Sequence, residues 1–524
     1  MKIRNPLVKP VFYVNAIQSA GKSWKLKQQI NNGEIKSKIL ISLPTGKLIK
    51  EYSRGITASV HTILSVKSEI SVVQKLKAAL ASDFHIQVIL CTHECLELYC
   101  QQAALEDLMQ LPLRDVAIFV DECPDGAFGD EVRVQHEDFA QDNYPFLQWL
   151  TPHENGGLLL NETYREEMQR YYEENHAKSE KIKRIVWCLL RGNAMLIIPD
   201  KDGYHFVAEA TNPLILASQW AASFTIMAAG VDKLELLYRA EHHLGFPVIE
   251  APAEFQPDAS RATFKRTNQI KISYIFDRSA SMTRLAPIFM DVLNWIRRNF
   301  REGFLYATNN DKRLKGEEAD FTSLADQELK AIGERISMSA FGLNVYAGFN
   351  VCGMDELELR SMGVEHTAAA YAGYTQCAYL GIVNDKKQRR NRRQRYADCM
   401  SWNFDELNTR RHLQQNAERC LQTLARTVIR DHDNLKPVHF LVPDKQTAEY
   451  LKANYFPDCE VRSAGIELPQ KQRKPKDTTK GDLQLERVRE LKVQGKKIAE
   501  IAEILSMSES HVKRYSARIK KEAA

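Results

Sequence analysis

The sequence predicts an α/β protein with two lobes, each built on a parallel sheet, followed by a small all-α domain. Three observations support this fold class. Short apolar runs alternate with longer helical patterns in two successive sets, which is typical of stacked βα units. A chain of 524 residues is too long for one hydrophobic core. The last forty residues contain helical patterns and no strand pattern.

The first lobe is predicted over residues 1–260. Its strands are VFYVN (11–15), KILISL (38–43), IQVILCT (86–92) and VAIFVDE (116–122). Between them, VVQKLKAALASDF and LELYCQQAALEDLMQ have apolar residues at three- and four-residue steps, as helices do. A helical insertion is expected around residues 155–205, followed by a short hairpin. SFTIMAA (223–229) then returns to the first sheet.

The second lobe is predicted over residues 261–468. Its strands are KISYIF (271–276), GFLYAT (303–308), RISMSAFG (335–342) and GFNVCGM (348–354), and another βα unit follows at PVHFLVPDKQTAEYLKANYF. A basic extension, KKQRRNRRQR (386–395), is interpreted as an exposed helix or loop. Residues 469–482 are predicted to be a linker, and residues 483–524 the small helical domain.

The charge of the chain is unevenly distributed. Residues 470–524 contain fifteen Lys and Arg against eight Asp and Glu, an excess of +7, so residues 1–469 carry −2 of the total of +5. A polyanion partner is therefore expected at the C-terminal end. No apolar run approaches the roughly 20 residues that cross a bilayer, so no membrane partner is expected. The ten scattered cysteines indicate a reducing, cytoplasmic environment.

A phosphate-binding loop is predicted near the N-terminus. AIQSAGKS (16–23) ends in Gly-Lys-Ser, follows the strand VFYVN and precedes the helical pattern KSWKLKQQINN. In such a loop, backbone amides bind phosphates, Lys22 reaches the β and γ oxygens, and the Ser23 hydroxyl binds Mg²⁺. The alternative is an ordinary strand–turn–helix corner.

An acidic pair ends a later buried strand. In VAIFVDEC (116–123), Asp121 would hold Mg²⁺ and Glu122 would orient or activate the attacking water. Acids often end strands without any function, but they rarely do so about a hundred residues after a phosphate loop. The two motifs together predict a nucleotide-hydrolysing site.

These residues resemble the superfamily 2 helicases and translocases. Their loop often reads Ala-x-x-Gly-x-Gly-Lys-Thr, so Ala16 matches and Ser19 departs from the pattern. The resemblance implies a P-loop NTPase with two RecA-like lobes that uses ATP and Mg²⁺. It implies that ATP contacts Ala16, Ser19, Ala20, Gly21, Lys22 and Ser23. It also implies DNA contacts at Pro44 and Thr45 in ISLPTGKLIKEYS and at Thr92 and His93 in VILCTHECL.

The second lobe resembles the same family with departures. Gly342 and Asn344 fall on positions that sense nucleotide and bind DNA. AGYTQCAYLGIVND resembles the last motif, Gln-x-x-x-Arg-x-x-Arg, with Gln376 matching and Leu380 and Val383 at the arginine positions. The family's arginine finger is then missing, unless Arg389, Arg390, Arg392 or Arg393 replaces it. The usual Ser-Ala-Thr motif is also altered, to MAAG (227–230).

The C-terminal stretch resembles the helix-turn-helix of resolvases and response-type regulators. Residues 483–521 are interpreted as three helices, of which KKIAEIAEIL and ESHVKRYSARIKK flank the turn SMS. The resemblance implies that the second helix enters the major groove of DNA. Bases would then face Ser508, Glu509, Ser510, His511 and Lys513, and phosphates would face Arg514, Arg518 and Lys520. The alternative is a protein-docking bundle.

The sequence therefore predicts an ATP-dependent DNA helicase or translocase with a DNA-binding tail. The combination resembles origin-binding helicases. It suggests replication initiation of a bacterial, plasmid or phage genome, with single- or double-stranded DNA and replication proteins as partners. One rival is an ATP-gated DNA-binding regulator that never unwinds DNA, and a second is an RNA helicase. A metal at Cys91, His93, Cys95 and Cys100 is not favoured, because the spacing lacks a C-x₂-C pair.

Overall fold

The computed structural model describes residues 8–17, 20–64, 70–82, 87–105, 113–139, 143–174, 179–300, 304–308, 328–329, 333–335, 374–383, 387–431, 434–467, 478–505 and 507–522. The chain divides into two compact units, Met1–Ile466 and Glu467–Ala524. Within the described residues, no helix has both the length and the apolar character needed to cross a membrane.

Eighteen strands are present in the described residues. They are β1 (Val11–Asn15), β2 (Lys38–Leu43), β3 (Val60–Thr62), β4 (Val88–Thr92), β5 (Val116–Asp121), β6 (Ala127–Gln135), β7 (Leu150–Pro152), β8 (Leu158–Leu160), β9 (Leu196–Asp200), β10 (Gly203–Thr211), β11 (Ser223–Ala228), β12 (Val248–Glu250), β13 (Ile270–Phe276), β14 (Leu305–Ala307), β15 (Glu334–Arg335), β16 (Gln376–Tyr379), β17 (Val438–Asp444) and β18 (Glu460–Ser463).

The α-helices of the described residues connect and flank these strands. They are α1 (Lys22–Asn31), α2 (Gly46–Ser53), α3 (Val72–Ala81), α4 (His93–Ala103), α5 (Arg165–Glu173), α6 (Glu180–Leu190), α7 (Ala217–Trp220), α8 (Glu235–His242), α9 (Met282–Leu285), α10 (Phe289–Asn299), α11 (Lys387–Cys399), α12 (Phe404–His412), α13 (Arg419–Leu424), α14 (Lys445–Asn454), α15 (Thr478–Val493), α16 (Ile498–Ile504) and α17 (Glu509–Glu522).

The first lobe is a seven-stranded parallel sheet in the order β12-β1-β11-β5-β2-β4-β3. Its central strands are nearly continuous apolar runs because both faces of the sheet are covered. Side-chain caps fix where several helices begin: Thr45 accepts from Leu48 N, and Ser71 and Gln74 form a capping box. Because these strands are parallel, the carboxyl ends of β1, β5 and β11 meet at one edge of the sheet.

An insertion between β5 and β11 differs from the predicted helical insertion around 155–205. It begins at β6 and contains a three-stranded antiparallel sheet, β6-β10-β9, as well as α5 and α6. Its core includes Phe146, Trp187 and Phe206, which are almost completely buried. Sequence reasoning missed β6 because AFGDEVRVQ is mostly half-exposed, so its alternation of apolar and polar residues is weak.

The second lobe is a six-stranded parallel sheet in the order β15-β14-β16-β17-β13-β18. The strand predicted at 348–354 and most of the one at 335–342 lie outside the described residues, which include only Arg335 of the latter. Apolar side chains of both sheets join one buried cluster, which includes Val14 and Ala229 from the first lobe and Leu421 and Tyr455 from the second. The two lobes thus share a core.

The second unit contains three helices, α15, α16 and α17, as predicted. Val488, Ile501 and Val512 are each 0 % exposed and form its small core with Ala502. Helix α15 begins at Thr478, inside the predicted linker 469–482, and residues 468–477 lie outside the described part of the chain. The predicted fold class, two RecA-like parallel-sheet lobes with a small helical unit, is confirmed. That the three helices form a DNA-binding helix-turn-helix stays a prediction.

Candidate functional site at the junction of the two sheets

The loop between β1 and α1 brings Lys22 to the carboxyl edge of the first sheet. Gly21 precedes α1 with φ 89, a left-handed conformation that favours glycine. The Lys22 ammonium donates to Ala16 O at 2.6 Å and to Ile17 O at 3.0 Å. Burial lowers the pKa of Lys22 to about 8, and the Asp121 and Glu122 carboxylates oppose that shift. A buried cation therefore lies where the loop turns into the helix.

Ser23 and Asp121 meet across the sheet edge. The Ser23 hydroxyl donates to Asp121 Oδ2 at 3.1 Å, which joins the first turn of α1 to the end of β5. Burial raises the pKa of Asp121, while Lys22 and Ser23 act in the opposite direction. A hydroxyl and a carboxylate are hard oxygen ligands, and Mg²⁺ is commonly held by one or two such groups together with phosphates and water. The pair fits that ion.

Glu122 adopts an unusual backbone conformation directly after β5. Its φ is 69, the left-handed region, and its amide donates to Met227 O of β11 at 3.0 Å. Backbone strain of this kind persists where the surroundings hold it, often at functional sites. Burial and the neighbouring Asp121 raise the pKa of Glu122 to about 8, while Arg426 and Lys22 lower it. The carboxyl group is thus poised to exchange a proton near neutral pH.

The second lobe completes the site. A cavity of about 160 Å³ lies between the lobes. Its lining residues are Lys22, Ser23, Asp121, Glu122, Met227, Ala228, Ala229, Gln422, Ala425 and Arg426. Gln422 is 6 % exposed, and its Oε1 has no hydrogen-bond partner among the described residues. Buried polar atoms are normally satisfied, so this one fits a site that takes a polar ligand. The volume suits phosphate groups better than a whole nucleotide, since ligand pockets usually exceed about 300 Å³.

The residues predicted for the last helicase motif do not line the cavity. Gln376 begins β16 in the second sheet and pairs with His439. Leu380 is 1 % exposed, and the backbone of Val383 is bound by the Asn416 side chain. A catalytic role of Gln376 stays a prediction.

The residues that sequence reasoning missed are Gln422 and Arg426. They lie in QTLAR (422–426), which has the same Gln-x-x-x-Arg spacing as the motif predicted at Gln376. That spacing is the sequence signal that could have found them. A strand pattern favours the match at Gln376, but the helical segment α13 is the one that faces the first lobe.

The suggested substitute arginines do not line the cavity either. Arg389 and Arg390 are exposed on α11, and Arg390 lies with its guanidinium 6.0 Å from the Phe404 ring. Arg392 and Arg393 form ion pairs with Glu131 and Glu209 of the insertion, at 2.5 and 3.5 Å. The basic run is therefore a helix that contacts the first lobe with one face.

The first-lobe residues expected to contact DNA are engaged in the fold. Thr45 and Thr92 accept hydrogen bonds from the third residues of α2 and α4, as N-caps. His93 is 7 % exposed, and its Nδ1 lies 2.8 Å from Ser42 Oγ. Pro44 is half-buried directly before α2. DNA contacts at these four residues stay a prediction.

Other predicted site residues are placed as follows. Ala16 and Ala20 are buried in the loop, while Ser19, Gly342 and Asn344 lie outside the described residues. In the second unit, the predicted base-contacting and phosphate-contacting side chains are exposed: Ser508, Glu509, Ser510, His511, Lys513 and Arg514. Ser508 Oγ bonds Ser510 Oγ and His511 Nδ1, and Lys513 pairs with Glu509 at 3.6 Å. Nothing is described of the Arg518 and Lys520 side chains.

Comparison with known proteins gives only remote similarity. No protein-family model matches the chain, and no curated protein matches it. Among solved structures, Xpd4 of S. tokodaii is 13 % identical with a TM-score of 0.44, over 87 % of this chain and 96 % of that one. A structure described as XPD helicase is 14 % identical with a TM-score of 0.44, over 88 % and 98 %. DEAD-box helicase Mss116 bound to ssRNA is 10 % identical with a TM-score of 0.37, over 97 % and 82 %. At these values the similarity carries no argument about activity.

Proposed function

We propose that this chain is an ATP-dependent DNA helicase or translocase. The observation that carries the proposal is the cavity between the lobes, where Lys22, Ser23, Asp121 and Glu122 of the first lobe face Gln422 and Arg426 of the second. A site divided between two lobes can couple hydrolysis to a change in their arrangement, which is what a motor requires.

Each side chain has a chemical task in ATP hydrolysis. Lys22 is positioned to neutralise phosphate charge, and Ser23 and Asp121 would hold Mg²⁺, which supplies further neutralisation when bound. Glu122 would orient the attacking water and take its proton. Arg426 would stabilise the negative charge that develops in the transition state, and the Gln422 side chain would bind water or phosphate.

The DNA-binding part of the proposal rests on the second unit. Its α17 presents Lys513 and Arg514 to solvent, and the segment 470–524 carries the +7 charge excess. Lysine and arginine on one exposed helix can bind DNA phosphates and place a motor at a DNA site. A DNA-site-binding motor suits the initiation of replication in a bacterium, plasmid or phage, together with replication proteins.

The decisive experiment measures ATP hydrolysis by the full chain with and without single- or double-stranded DNA. We expect DNA to stimulate hydrolysis, strand separation to require ATP, and Lys22→Ala to abolish both. Ser23→Ala should act in the same direction with a smaller loss, because only one Mg²⁺ ligand is removed.

Two results would decide between this proposal and its rivals. Hydrolysis that DNA does not stimulate, with no strand separation or movement, would replace the motor by an ATP-gated DNA-binding regulator. Stimulation by RNA alone would replace DNA as the partner. The presence of Arg426 in the cavity counts against a purely regulatory chain, whose main support is the missing arginine finger.

A further inference from the structure

A group of buried charges joins the two lobes away from the cavity. Its members, called the inter-lobe ion cluster below, are Glu209, Glu235, Arg239, Arg393 and Arg411. The first three belong to the insertion and α8 of the first lobe, and the last two to α11 and α12 of the second. The Arg239 side chain is 0 % exposed and that of Glu235 is 3 % exposed. Charges are rarely buried this deeply unless they are paired.

Hydrogen bonds within the cluster cross from one lobe to the other. Arg411 Nε donates to Glu235 Oε2 at 2.9 Å and Arg411 Nη2 donates to Glu235 Oε1 at 2.9 Å. Arg239 binds Glu235 Oε1 at 2.7 Å through its Nη2 and also binds Glu209. Arg393 and Arg411 each lie 3.5 Å from Glu209 Oε2. The two-point contact between Arg411 and Glu235 fixes orientation as well as distance.

The charges on the two sides are complementary. In the first lobe, two carboxylates and one arginine leave a net charge of −1, and the second lobe brings two arginines, +2. Burial alone would raise the pKa of Glu235 and Glu209, but the neighbouring arginines outweigh it and lower the pKa of both carboxyl groups. Both carboxylates are therefore held in the ionised form.

Hydrogen bonds and ring contacts surround the cluster. The Tyr396 hydroxyl of α11 lies within hydrogen-bond distance of two carbonyl oxygens, Ala194 O at 2.9 Å and Glu209 O at 2.8 Å, and can donate to either. The Trp402 ring stacks on His243 with ring centroids 4.3 Å apart, and the Arg239 guanidinium lies 4.9 Å from the Trp402 ring centroid. Tyr396 also packs with Ile198 and Val207 of the insertion. The insertion and α8 thus form a socket for α11 and α12.

The same chain segments lead from the cluster to the cavity. After α12, the chain forms one π-helical stretch, Leu413–Glu418, and then α13, which carries Gln422. Along this path Gln414 Nε2 donates to Pro124 O at 3.2 Å, three residues after Asp121. In the first lobe, α8 begins shortly after Ala229, which lines the cavity. Packed helices with this continuity transmit position between the two places.

We infer that the inter-lobe ion cluster is a positioning device, which holds the second lobe so that Gln422 and Arg426 reach the cavity. Buried ion pairs are poor sources of stability, because desolvation offsets their attraction, so orientation is the property we assign to the cluster. The arginine run 386–395 then contributes to hydrolysis through Arg393, at a distance, without touching the nucleotide. The effect on hydrolysis rests on the proposed function; the contact between lobes does not.

The test compares four variants of the full chain. Arg393→Gln/Arg411→Gln removes both second-lobe charges and leaves Glu209, Glu235 and Arg239. Glu235→Gln leaves three arginines around one carboxylate, and we expect this variant to misfold more readily than the others. It therefore serves only as the largest disturbance of the cluster. The control is Arg395→Gln, a change of an exposed arginine on the same helix α11.

Two measurements are made, hydrogen exchange of α8, β10, α11 and α12 amides and steady-state ATP hydrolysis. In the double variant we expect exchange in these segments to rise about tenfold while exchange in the first sheet stays as in the wild type. We expect kcat to fall at least tenfold and KM for ATP to change less than twofold, because Lys22 and its loop bind phosphate from the first lobe alone. The single variant Arg411→Lys should keep part of the kcat that the double variant loses, since lysine retains the charge without the two-point contact.

The outcomes separate the inferences. Unchanged exchange in the double variant would show that the cluster does not hold the lobes together. Faster exchange with an unchanged kcat would overturn the positioning role, as would an equal loss in Arg395→Gln. A wild-type chain with no ATP hydrolysis would remove the proposed function and the positioning role together, while the exchange result would still decide whether the cluster joins the lobes.

Discussion

Two arginine-bearing segments of the second lobe behave in opposite ways. The run KKQRRNRRQR (386–395) is the most conspicuous basic stretch of the chain, yet its arginines are exposed or pair with the insertion. QTLAR (422–426) has a single arginine at its end, and that arginine lines the cavity with Lys22 and Glu122. The position of an arginine relative to the sheet edge therefore decides whether it can reach the site, and the local density of charge does not.

Removing one arginine from each segment tests most directly which of the two acts in the site. We expect Arg426→Ala to lower kcat for ATP by about 10³–10⁵, the range in which an arginine finger acts on phosphate transfer. Arg390→Ala should leave basal hydrolysis within about threefold. Steady-state hydrolysis without DNA measures both, and a larger loss in Arg390→Ala than in Arg426→Ala would reverse the assignment.

The two glutamines give a second comparison, with a smaller expected effect. Gln422→Ala should lower kcat by about 10²-fold, comparable to losing one positioned hydrogen-bonding group in an active site. Gln376→Ala changes the first residue of β16, so we expect a lower melting temperature and little change in kcat. Measuring both kcat and thermal unfolding separates a chemical contribution from a structural one; equal kcat values would contradict the new motif assignment.

The exposed basic residues of the two units can be compared through salt dependence. Removing residues 467–524 should weaken DNA binding about tenfold or more and spare basal ATP hydrolysis. Lys513→Ala/Arg514→Ala should lower the slope of log K against log salt by about 0.9 for each DNA phosphate that the variant no longer neutralises. Arg389→Ala/Arg390→Ala is the matched pair on α11. An unchanged slope in the first pair would remove the second unit from the DNA interface.

The carboxyl group of Glu122 extends the comparison to pH, with the smallest effect. The pKa of Glu122 is raised to about 8, so between its unfolded value of 4.5 and about 8 the folded chain keeps a proton that the unfolded chain has released. Wild-type stability therefore falls as pH rises through that window. Glu122→Gln does not titrate, so its melting temperature should exceed that of the wild type above pH 8, and the excess should grow as pH rises from 4.5 to about 8.

The control for this pH effect is the way the melting-temperature difference between the variant and the wild type changes with pH. The difference between Glu122→Gln and the wild type should shrink towards zero near about pH 3.5, one unit below the unfolded pKa of 4.5, where both states of the wild type are mostly protonated. Thermal unfolding at several pH values measures it. A difference that does not vary with pH would mean that folding does not raise the pKa of Glu122.

Much of the fold follows from local sequence patterns. The strands predicted at 11–15 and 38–43 agree with β1 and β2 residue for residue, and the three C-terminal helices form where their apolar spacing predicts. Buried parallel strands are continuous apolar runs, so they stand out in a sequence. The antiparallel strand β6 does not, because it is half-exposed and carries charged residues in its middle.

The residues that the first lobe contributes to the candidate site could be predicted from the sequence. Lys22, Ser23, Asp121 and Glu122 follow strands whose carboxyl ends share one edge of a parallel sheet, so their proximity follows from chain order and strand direction. The second-lobe residues that join them were identified in the structure, because their position depends on how the two lobes pack, through Glu235, Arg239 and Arg411 among others. Contacts between residues almost two hundred positions apart leave no periodic signal in a single sequence, so the choice between the Gln-x-x-x-Arg spacing at Gln422 and the match at Gln376 required the packing of the lobes.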